Sequence, residues 1–354
     1  MKKLKVVEVT CGLGAGGAEK SLVTRLMYRP SNFDICILNT RPEIDKLVLS
    51  SEFKSINMAK RSFNFFLEVG RVLGSYSPDF VVVRTPLDSL RFALIKLLSP
   101  RSSWKLVFEA HSNFVTSKKY FGYIMLILLR IARRRIYRTL AVSENVMNGP
   151  LGQGGSKCTI LYLGADMDIE AKLFQPLADT SLVFVGRLVP IKQPLLLLRA
   201  IDVLNKEIPL PDGFLTIVGD GPLRKEMENF IISQDLTGCV KIVGFVEDVQ
   251  SYLLESTHLI SVSKNEGLPI SFFEAKLAGL RIISTPSGGG SEIFDDFDYE
   301  LPSFEIQDLV DHLKSILGTA ITSESRHQIA KNSVWMQSKE CSKKYYELLE
   351  SLAD

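Results

Sequence analysis

Cysteine is scarce and scattered. Cys11, Cys36, Cys158, Cys239 and Cys341 are the five thiols among 354 residues, and no two form a Cys-x-x-Cys pair. That spacing argues against a structural zinc site, and an odd count against a disulfide framework. They read as reduced, mostly buried thiols of a cytoplasmic protein. Long apolar runs are also missing. The longest, Tyr120 to Ala132, has 13 residues and includes Arg130, short of the roughly 20 that cross a bilayer. Met1-Lys2-Lys3-Leu4 could open a secretory signal, but Glu8 interrupts the apolar stretch and no small-residue cleavage site follows, so a buried first strand is expected. There is no low-complexity tract and no repeat with a period of about 20–50 residues. Net charge is nearly absent at +2, but the balance hides an asymmetry. Residues 1–175 hold 26 Lys and Arg against 14 Asp and Glu, a net of +12, and the remainder holds 16 against 26, a net of −10. A basic front half points to an anionic partner: a membrane surface, a lipid phosphate or nucleic acid.

What is present is an apolar fraction of 46% over a length that suits two domains. Short β-branched runs alternate with longer helical patterns. Strands are predicted at Leu4–Thr10, Asp34–Asn39, Phe80–Arg84, Leu106–Ala110, Thr139–Val142 and Ile160–Leu163. Five more are predicted at Leu182–Gly186, Phe214–Gly219, Val240–Gly244, Leu259–Ser263 and Arg281–Thr285. Their hydrophobicity is continuous rather than alternating, as in a parallel sheet covered on both faces. The fold class is therefore α/β, with two Rossmann-like, doubly wound parallel-sheet domains. The aperiodic stretch near 171–180 is the expected linker, giving domains 1–172 and 173–334. The amphipathic segment of about 335–354 is expected to pack back on the first domain. Ligands on such sheets sit beyond the carboxyl ends of the strands, so two facing domains would share one cleft.

The polar residues at strand ends carry the chemistry. Gly12, Gly14 and Gly17 after the first strand match G-x-G-x-x-G, but the acidic residue that a dinucleotide site needs at the end of the next strand is absent; Asn39-Thr40-Arg41 stands there. A flexible loop facing the cleft, or a plain tight turn, remains open. Arg187 and Lys192 follow the run Leu182–Gly186. An Arg that grips two oxygens and a Lys that adds a point charge suit a diphosphate and could stabilise it as a leaving group without metal. Two solvated cations is the plainer reading. Gly219-Asp220-Gly221 reads as a tight strand-to-helix turn. Phe245 and the backbone of Val246 could receive a nucleobase, or Phe245 could be core. In Glu266-Gly267-Leu268-Pro269 the amides can turn towards an oxygen-rich ligand at a helix start, with Glu266 and Glu274 accepting from hydroxyls. A Glu favoured by the helix dipole is the alternative for Glu274. Asp296-Phe297-Asp298 lies in a late acidic loop and is not expected to hold a metal. The segment from Lys118 to Arg138 brackets its apolar run with cations, which suits an anionic membrane surface, a lipid diphosphate, or a buried helix with solvated ends.

Taken in order, Gly16-Gly17-Ala18-Glu19, Val185-Gly186-Arg187 with Lys192, Val218-Gly219-Asp220-Gly221-Pro222, Glu266 with Glu274, and Gly288-Gly289-Gly290-Ser291-Glu292 resemble the retaining glycosyltransferases of family 4 (glycosyl transferases group 1), which have the GT-B fold. The resemblance covers nearly the whole chain and is densest from about 180 to 293. It implies a metal-independent hexosyltransferase with no cofactor. Arg187 and Lys192 would bind the donor diphosphate, Glu266 the donor sugar, Glu274 the ribose, and the amides after Glu266 sugar or phosphate. Gly16 and Gly17 would close on the diphosphate, and His111 would stand near the donor sugar. The donor implied is a UDP-sugar, with a GDP-sugar as the alternative. The acceptor would be a glycan or a lipid-diphosphate-linked saccharide of bacterial surface polysaccharide or lipopolysaccharide, made at the inner face of the plasma membrane. Nucleic acid is not expected. One departure is Tyr162-Leu163-Gly164, where the family often has Asn-Gly. An NAD(P)-dependent oxidoreductase and a non-catalytic sugar-nucleotide or glycan-binding protein are the competing classes.

Overall fold

The computed structural model describes residues 3–11, 17–41, 53–58, 64–113, 119–152, 157–167, 177 and 179–353, without the side chains of 64 and 119–125. It divides into two compact units, Met1–Gly164 with Ser338–Asp354, and Ala165–Gln337. The expected linker at 172/173 lies outside the described residues.

In chain order the first unit contains β1 (Leu4–Thr10), α1 (Gly17–Met27), β2 (Phe33–Asn39), β3 (Lys54–Asn57), α2 (Asn64–Tyr76), β4 (Phe80–Val83) and α3 (Pro86–Leu98). It continues through β5 (Lys105–Ala110), α4 (Lys119–Ala132), β6 (Ile136–Ala141), α5 (Glu144–Asn148) and β7 (Cys158–Ile160). The sheet order is β3-β2-β1-β4-β5-β6-β7, and every described pairing is parallel. The second unit contains β8 (Leu182–Val185), α6 (Pro194–Glu207), β9 (Leu215–Val218), α7 (Arg224–Ser233), β10 (Val240–Gly244), α8 (Gln250–Leu254) and β11 (His258–Ser261). After these come α9 (Ile270–Leu277), β12 (Arg281–Ser284), β13 (Tyr299–Glu300), α10 (Ile306–Ile316) and α11 (Ser323–Asn332). Its sheet, β10-β9-β8-β11-β12-β13, is also parallel. The last helix, α12 (Ser338–Ala353), belongs to the first unit.

The central strands are apolar on both faces: β4 is buried at all four positions, as is β11. Each sheet therefore needs helices on both sides. In the second unit Phe184, Ile217 and Ile260 meet Leu197, Leu204, Met227 and Leu309 from the covering helices. In the first unit α12 covers β1 and β2 through Tyr345, Tyr346 and Leu349. The ring of Tyr346 lies 4.7 Å from that of Phe33.

Polar groups are buried in the first unit as well. Glu8, Arg25, Arg84 and Glu109 form a neutral four-charge cluster. Arg25 donates twice to Glu109 (3.0 and 2.8 Å), Arg84 reaches Glu8 at 2.8 Å and Glu109 at 3.1 Å, and the Tyr345 hydroxyl donates to Glu8 at 2.6 Å. Burial pushes the Glu109 carboxyl up, but the two guanidinium groups outweigh it and hold the group well below the usual carboxylate range.

Candidate functional site

The carboxyl edge of the second sheet is assembled by backbone hydrogen bonds between consecutive strand ends. Gly186 donates to the Val218 carbonyl (3.0 Å), Gly219 to that of Gly244 (2.8 Å), Leu188 to that of Asp220 (2.9 Å) and Leu223 to that of Leu188 (3.1 Å). This lacing needs glycine at 219. Its φ is +151°, and a Cβ there would stand 1.9 Å from the Gly186 carbonyl oxygen.

Beyond Arg187 the chain makes a short 3-10 turn, Pro190–Lys192, and Gln193 adopts a left-handed conformation before Pro194 opens α6. The turn folds Lys192 back over the strand end, so that its Cε would lie 4.0 Å from a Cβ placed on Gly186. A second loop meets this turn. Lys264 donates its amide to the Ile191 carbonyl (2.9 Å), Glu266 to that of Ser287 (2.8 Å), and Gly289 to that of Glu266 (3.3 Å). Glu266 is thereby fixed between the turns after β8 and β12. Its carboxylate forms an ion pair with the Lys192 ammonium, the two side chains being 11% and 21% exposed. The ammonium retains protons to donate, and the carboxylate retains lone pairs. Arg187, two residues past the end of β8, is exposed, and its side chain has no hydrogen-bond partner among the described residues.

Gly267, Leu268 and Pro269 are buried and lead into α9, whose first turn has no side-chain cap. The Phe272 amide turns back to the Pro269 carbonyl (3.1 Å), and the helix start adds partial positive charge to this edge. Glu266 to Pro269 is non-helical, so Glu274 lies one turn into α9, not two helical turns from Glu266, and it is 5% exposed. After β10, Phe245 is 53% exposed and Val246 half-buried; Phe245 is thus not a core residue. Ser263 and Ser287 flank the loop that carries Glu266. Both are buried, and neither hydroxyl has a hydrogen-bond partner. Buried polar groups are rarely left so. Ser287 escaped the sequence reading because a serine before three glycines carries no distinctive signal.

The other predicted residues fall in the first unit. Gly17 opens α1 and is exposed, while Gly16 lies outside the described residues. His111 follows β5; its Nε2 is 3.4 Å from a Glu109 oxygen, and neither ring nitrogen is hydrogen-bonded. Burial, opposed by Glu109, lowers its pKa to about 4, so the ring is neutral near pH 7. Among the described residues no group of three His, Cys, Asp or Glu is arranged to hold a metal ion. Asp298 of the acidic loop instead accepts from Lys276 (2.7 Å) and from the amides of Ile282 (2.7 Å) and Asp295 (2.9 Å), which commits it to anchoring a buried lysine.

Two doubly wound parallel sheets define the class. The structure superposes on that of HepE from Anabaena, solved in complex with UDP, with a TM-score of 0.79 over 99% of this chain and 100% of that one at 17% identity; the fold is GT-B. The family model of the glycosyl transferases group 1 matches residues 167–334. The chain is 33% identical over 311 residues to the Campylobacter jejuni GalNAc-alpha-(1->4)-GalNAc-alpha-(1->3)-diNAcBac-PP-undecaprenol alpha-1,4-N-acetyl-D-galactosaminyltransferase, a match covering 83% of this chain and 82% of that relative. It is 31% identical over 135 residues to the Escherichia coli UDP-Gal:alpha-D-GlcNAc-diphosphoundecaprenol alpha-1,3-galactosyltransferase, covering 37% of this chain and 35% of that relative's length. This chain belongs to the group 1 glycosyltransferases and is a glycosyltransferase enzyme. The oxidoreductase and pure binding-protein readings are left without support.

Proposed function

We propose that this chain transfers a sugar from a nucleotide diphosphate sugar, by default a UDP-sugar, to a lipid-diphosphate-linked glycan of a bacterial surface polysaccharide, with retention at the anomeric carbon and no metal. The observation that carries this reading is the Lys192–Glu266 ion pair at the end of β8, where the exposed Arg187 also follows the strand. Two cations there match a diphosphate, and an adjoining carboxylate matches sugar hydroxyls. Both relatives described above are named for acceptors on a diphosphoundecaprenol-type carrier, which supports the acceptor class.

In this reading an acceptor hydroxyl oxygen bonds to the anomeric carbon as the bond from that carbon to the diphosphate oxygen breaks. The bonding pair leaves with the diphosphate, which also takes the hydroxyl proton. Arg187 and Lys192 stabilise the charge that develops on it, and the amides at the start of α9 add to the same field. Glu266 orients the donor sugar, Glu274 serves the ribose, and Phe245 with the Val246 backbone serves the base. His111, neutral, can donate or accept one hydrogen bond near the sugar. The rate then comes from positioning and charge stabilisation rather than from a covalent enzyme intermediate.

Turnover with a panel of UDP- and GDP-sugars and a short diphosphopolyprenol saccharide, in the presence of EDTA, tests this. An α-donor should give an α-linked product by proton NMR with EDTA having no effect. An inverted linkage would refute retention, and loss of turnover in EDTA would refute metal independence.

A further inference from the structure

We infer that Glu109 is a positioning residue: it selects the tautomer of His111 that carries its proton on Nε2, which makes Nδ1 the atom that accepts a hydrogen bond from a hydroxyl of the sugar substrate. The substrate half rests on the proposed function, which brings His111 to the sugar; the tautomer does not. β1, β4 and β5 are neighbours in the first sheet. Glu8 and Glu109 lie on β1 and β5, Arg84 follows β4 and Arg25 lies on α1. The transfer chemistry uses none of these four charges, yet burying them is costly. Glu8 has a structural reason. The Tyr345 hydroxyl and Arg84 bind its two oxygens at 2.6 and 2.8 Å, which ties α12 to β1. Glu109 makes no such tie. Its Oε2 accepts from Arg25 (3.0 Å) and lies 3.1 Å from Arg84, and its Oε1 accepts from the second terminal nitrogen of Arg25 (2.8 Å). This two-pronged grip fixes the plane of the carboxylate. Oε1 keeps a lone pair, and Nε2 of His111 stands 3.4 Å from it. His111 directly follows β5, two residues after Glu109, the spacing that puts side chains on one face of a strand. The Val142 amide donates to the Ala110 carbonyl (3.1 Å) and holds the backbone between them.

The chemistry of the pair decides where the proton sits. A neutral imidazole has one N–H and one lone pair, and a carboxylate only accepts. The two guanidinium groups keep Glu109 ionised against its burial. An Nε2 lone pair would therefore face an oxygen lone pair, whereas an Nε2–H meets an acceptor. The contact is longer and less well aligned than a formed hydrogen bond, as catalytic contacts often are before substrate binds. Nδ1 then keeps the lone pair. It is buried and has no hydrogen-bond partner among the described residues, an uncommon state for a polar atom that a substrate hydroxyl would relieve. The same surroundings disfavour the cation. Burial lowers the pKa of the ring, Glu109 opposes this, and Arg84 and Arg25 lower it further. A ring that stays neutral supplies orientation rather than charge or a proton.

Long-range proton–nitrogen correlation spectra of the whole chain, labelled with nitrogen-15 in histidine, test the tautomer without any donor. The chain has four histidines, and His111→Ala identifies the signals of this one. Nε2 should be protonated and Nδ1 not, between about pH 6 and pH 8. Glu109→Gln with Arg84→Gln keeps the cluster neutral and should give a mixture of tautomers, with kcat about tenfold lower, the worth of one hydrogen bond. Glu8→Gln with Arg84→Gln also keeps it neutral but retains Glu109, and should leave the tautomer unchanged. In the transfer assay His111→Asn, whose amide can stand in for Nδ1, should turn over about tenfold faster than His111→Gln, whose amide reaches only the place of Nε2. A parent ring protonated on Nδ1, an unchanged tautomer in the Glu109 variant, or a mixture in the Glu8 variant overturns the role of Glu109. Faster turnover by His111→Gln than by His111→Asn overturns the role of Nδ1. Should the double variants not fold, the spectrum of the parent decides the tautomer. An Nε2–H ring with no turnover from any donor upholds the tautomer and strikes the transfer reading alone.

Discussion

Lys192 and Glu266 neutralise each other before any ligand arrives, and this shapes what each contributes. Neither is strongly exposed, so removing one leaves the other charged and partly desolvated. Lys192→Met is expected to lower kcat/KM by roughly 10²–10³ through lost charge stabilisation on the leaving group, and Arg187→Ala, exposed and unpaired, to do so without any change in melting temperature. Steady-state kinetics beside a thermal melt separates the two effects. His111 gives a pH signature. Its folded pKa of about 4 lies below the value of an unstrained histidine, so the unfolded chain binds its proton first as the solution is acidified. The associated stability is present above pH ~6.5 and is lost as pH falls through about 4, at up to ~1.4 kcal/mol per pH unit. Urea unfolding at pH 7 and pH 5 should show a shallower fall for His111→Gln than for the parent chain. At this scale Arg187, Lys192 and Glu266 were legible as polar residues ending apolar runs. That Lys192 and Glu266 would share one site was implied by the family resemblance; their direct ion pair was not, because it depends on the Lys264–Ile191 and Glu266–Ser287 backbone bonds between segments more than 20 residues apart.

Elements differ in how openly they announce themselves. β1, β4, β8 and β11 are buried on both faces and read directly as β-branched runs. β3, Lys-Ser-Ile-Asn, is an edge strand without a buried residue, and β13 is a two-residue edge strand at Tyr299–Glu300. An edge strand with polar side chains has no hydrophobic pattern to detect, so both escaped prediction; the second was read as loop. β7 was placed at Ile160–Leu163 and runs Cys158–Ile160. α12 starts at Ser338 rather than near Trp335, because Val334–Met336 forms a separate 3-10 turn. Leu349 of this helix is fully buried in the first unit's core. Leu349→Ala should destabilise by about 2–5 kcal/mol, measured by denaturant unfolding. Gly219→Ala should be costly at the donor edge, since its Cβ would meet backbone rather than a movable side chain.

For the whole molecule, opposite charge on the two halves of the chain fits a division of labour. The basic excess lies in residues 1–175, and the second unit presents a strand edge where Lys192 and Glu266 are brought together by backbone hydrogen bonds. The doubly wound parallel architecture was readable from alternating strand and helix patterns, since covering both faces of a sheet leaves a continuous apolar signature. Family membership fixes the enzyme class, and the proposed function assigns Arg187, Lys192 and Glu266 to a nucleotide-sugar donor. Thermal shift with UDP- and GDP-sugars, run on the parent chain and on the Arg187→Ala, Lys192→Ala double variant, tests this most directly. One donor at about a hundred times its Kd should stabilise the parent by roughly 2.7 kcal/mol and leave the variant's melting temperature unmoved. Equal stabilisation of both proteins, or no stabilisation of the parent by any nucleotide sugar, would contradict it.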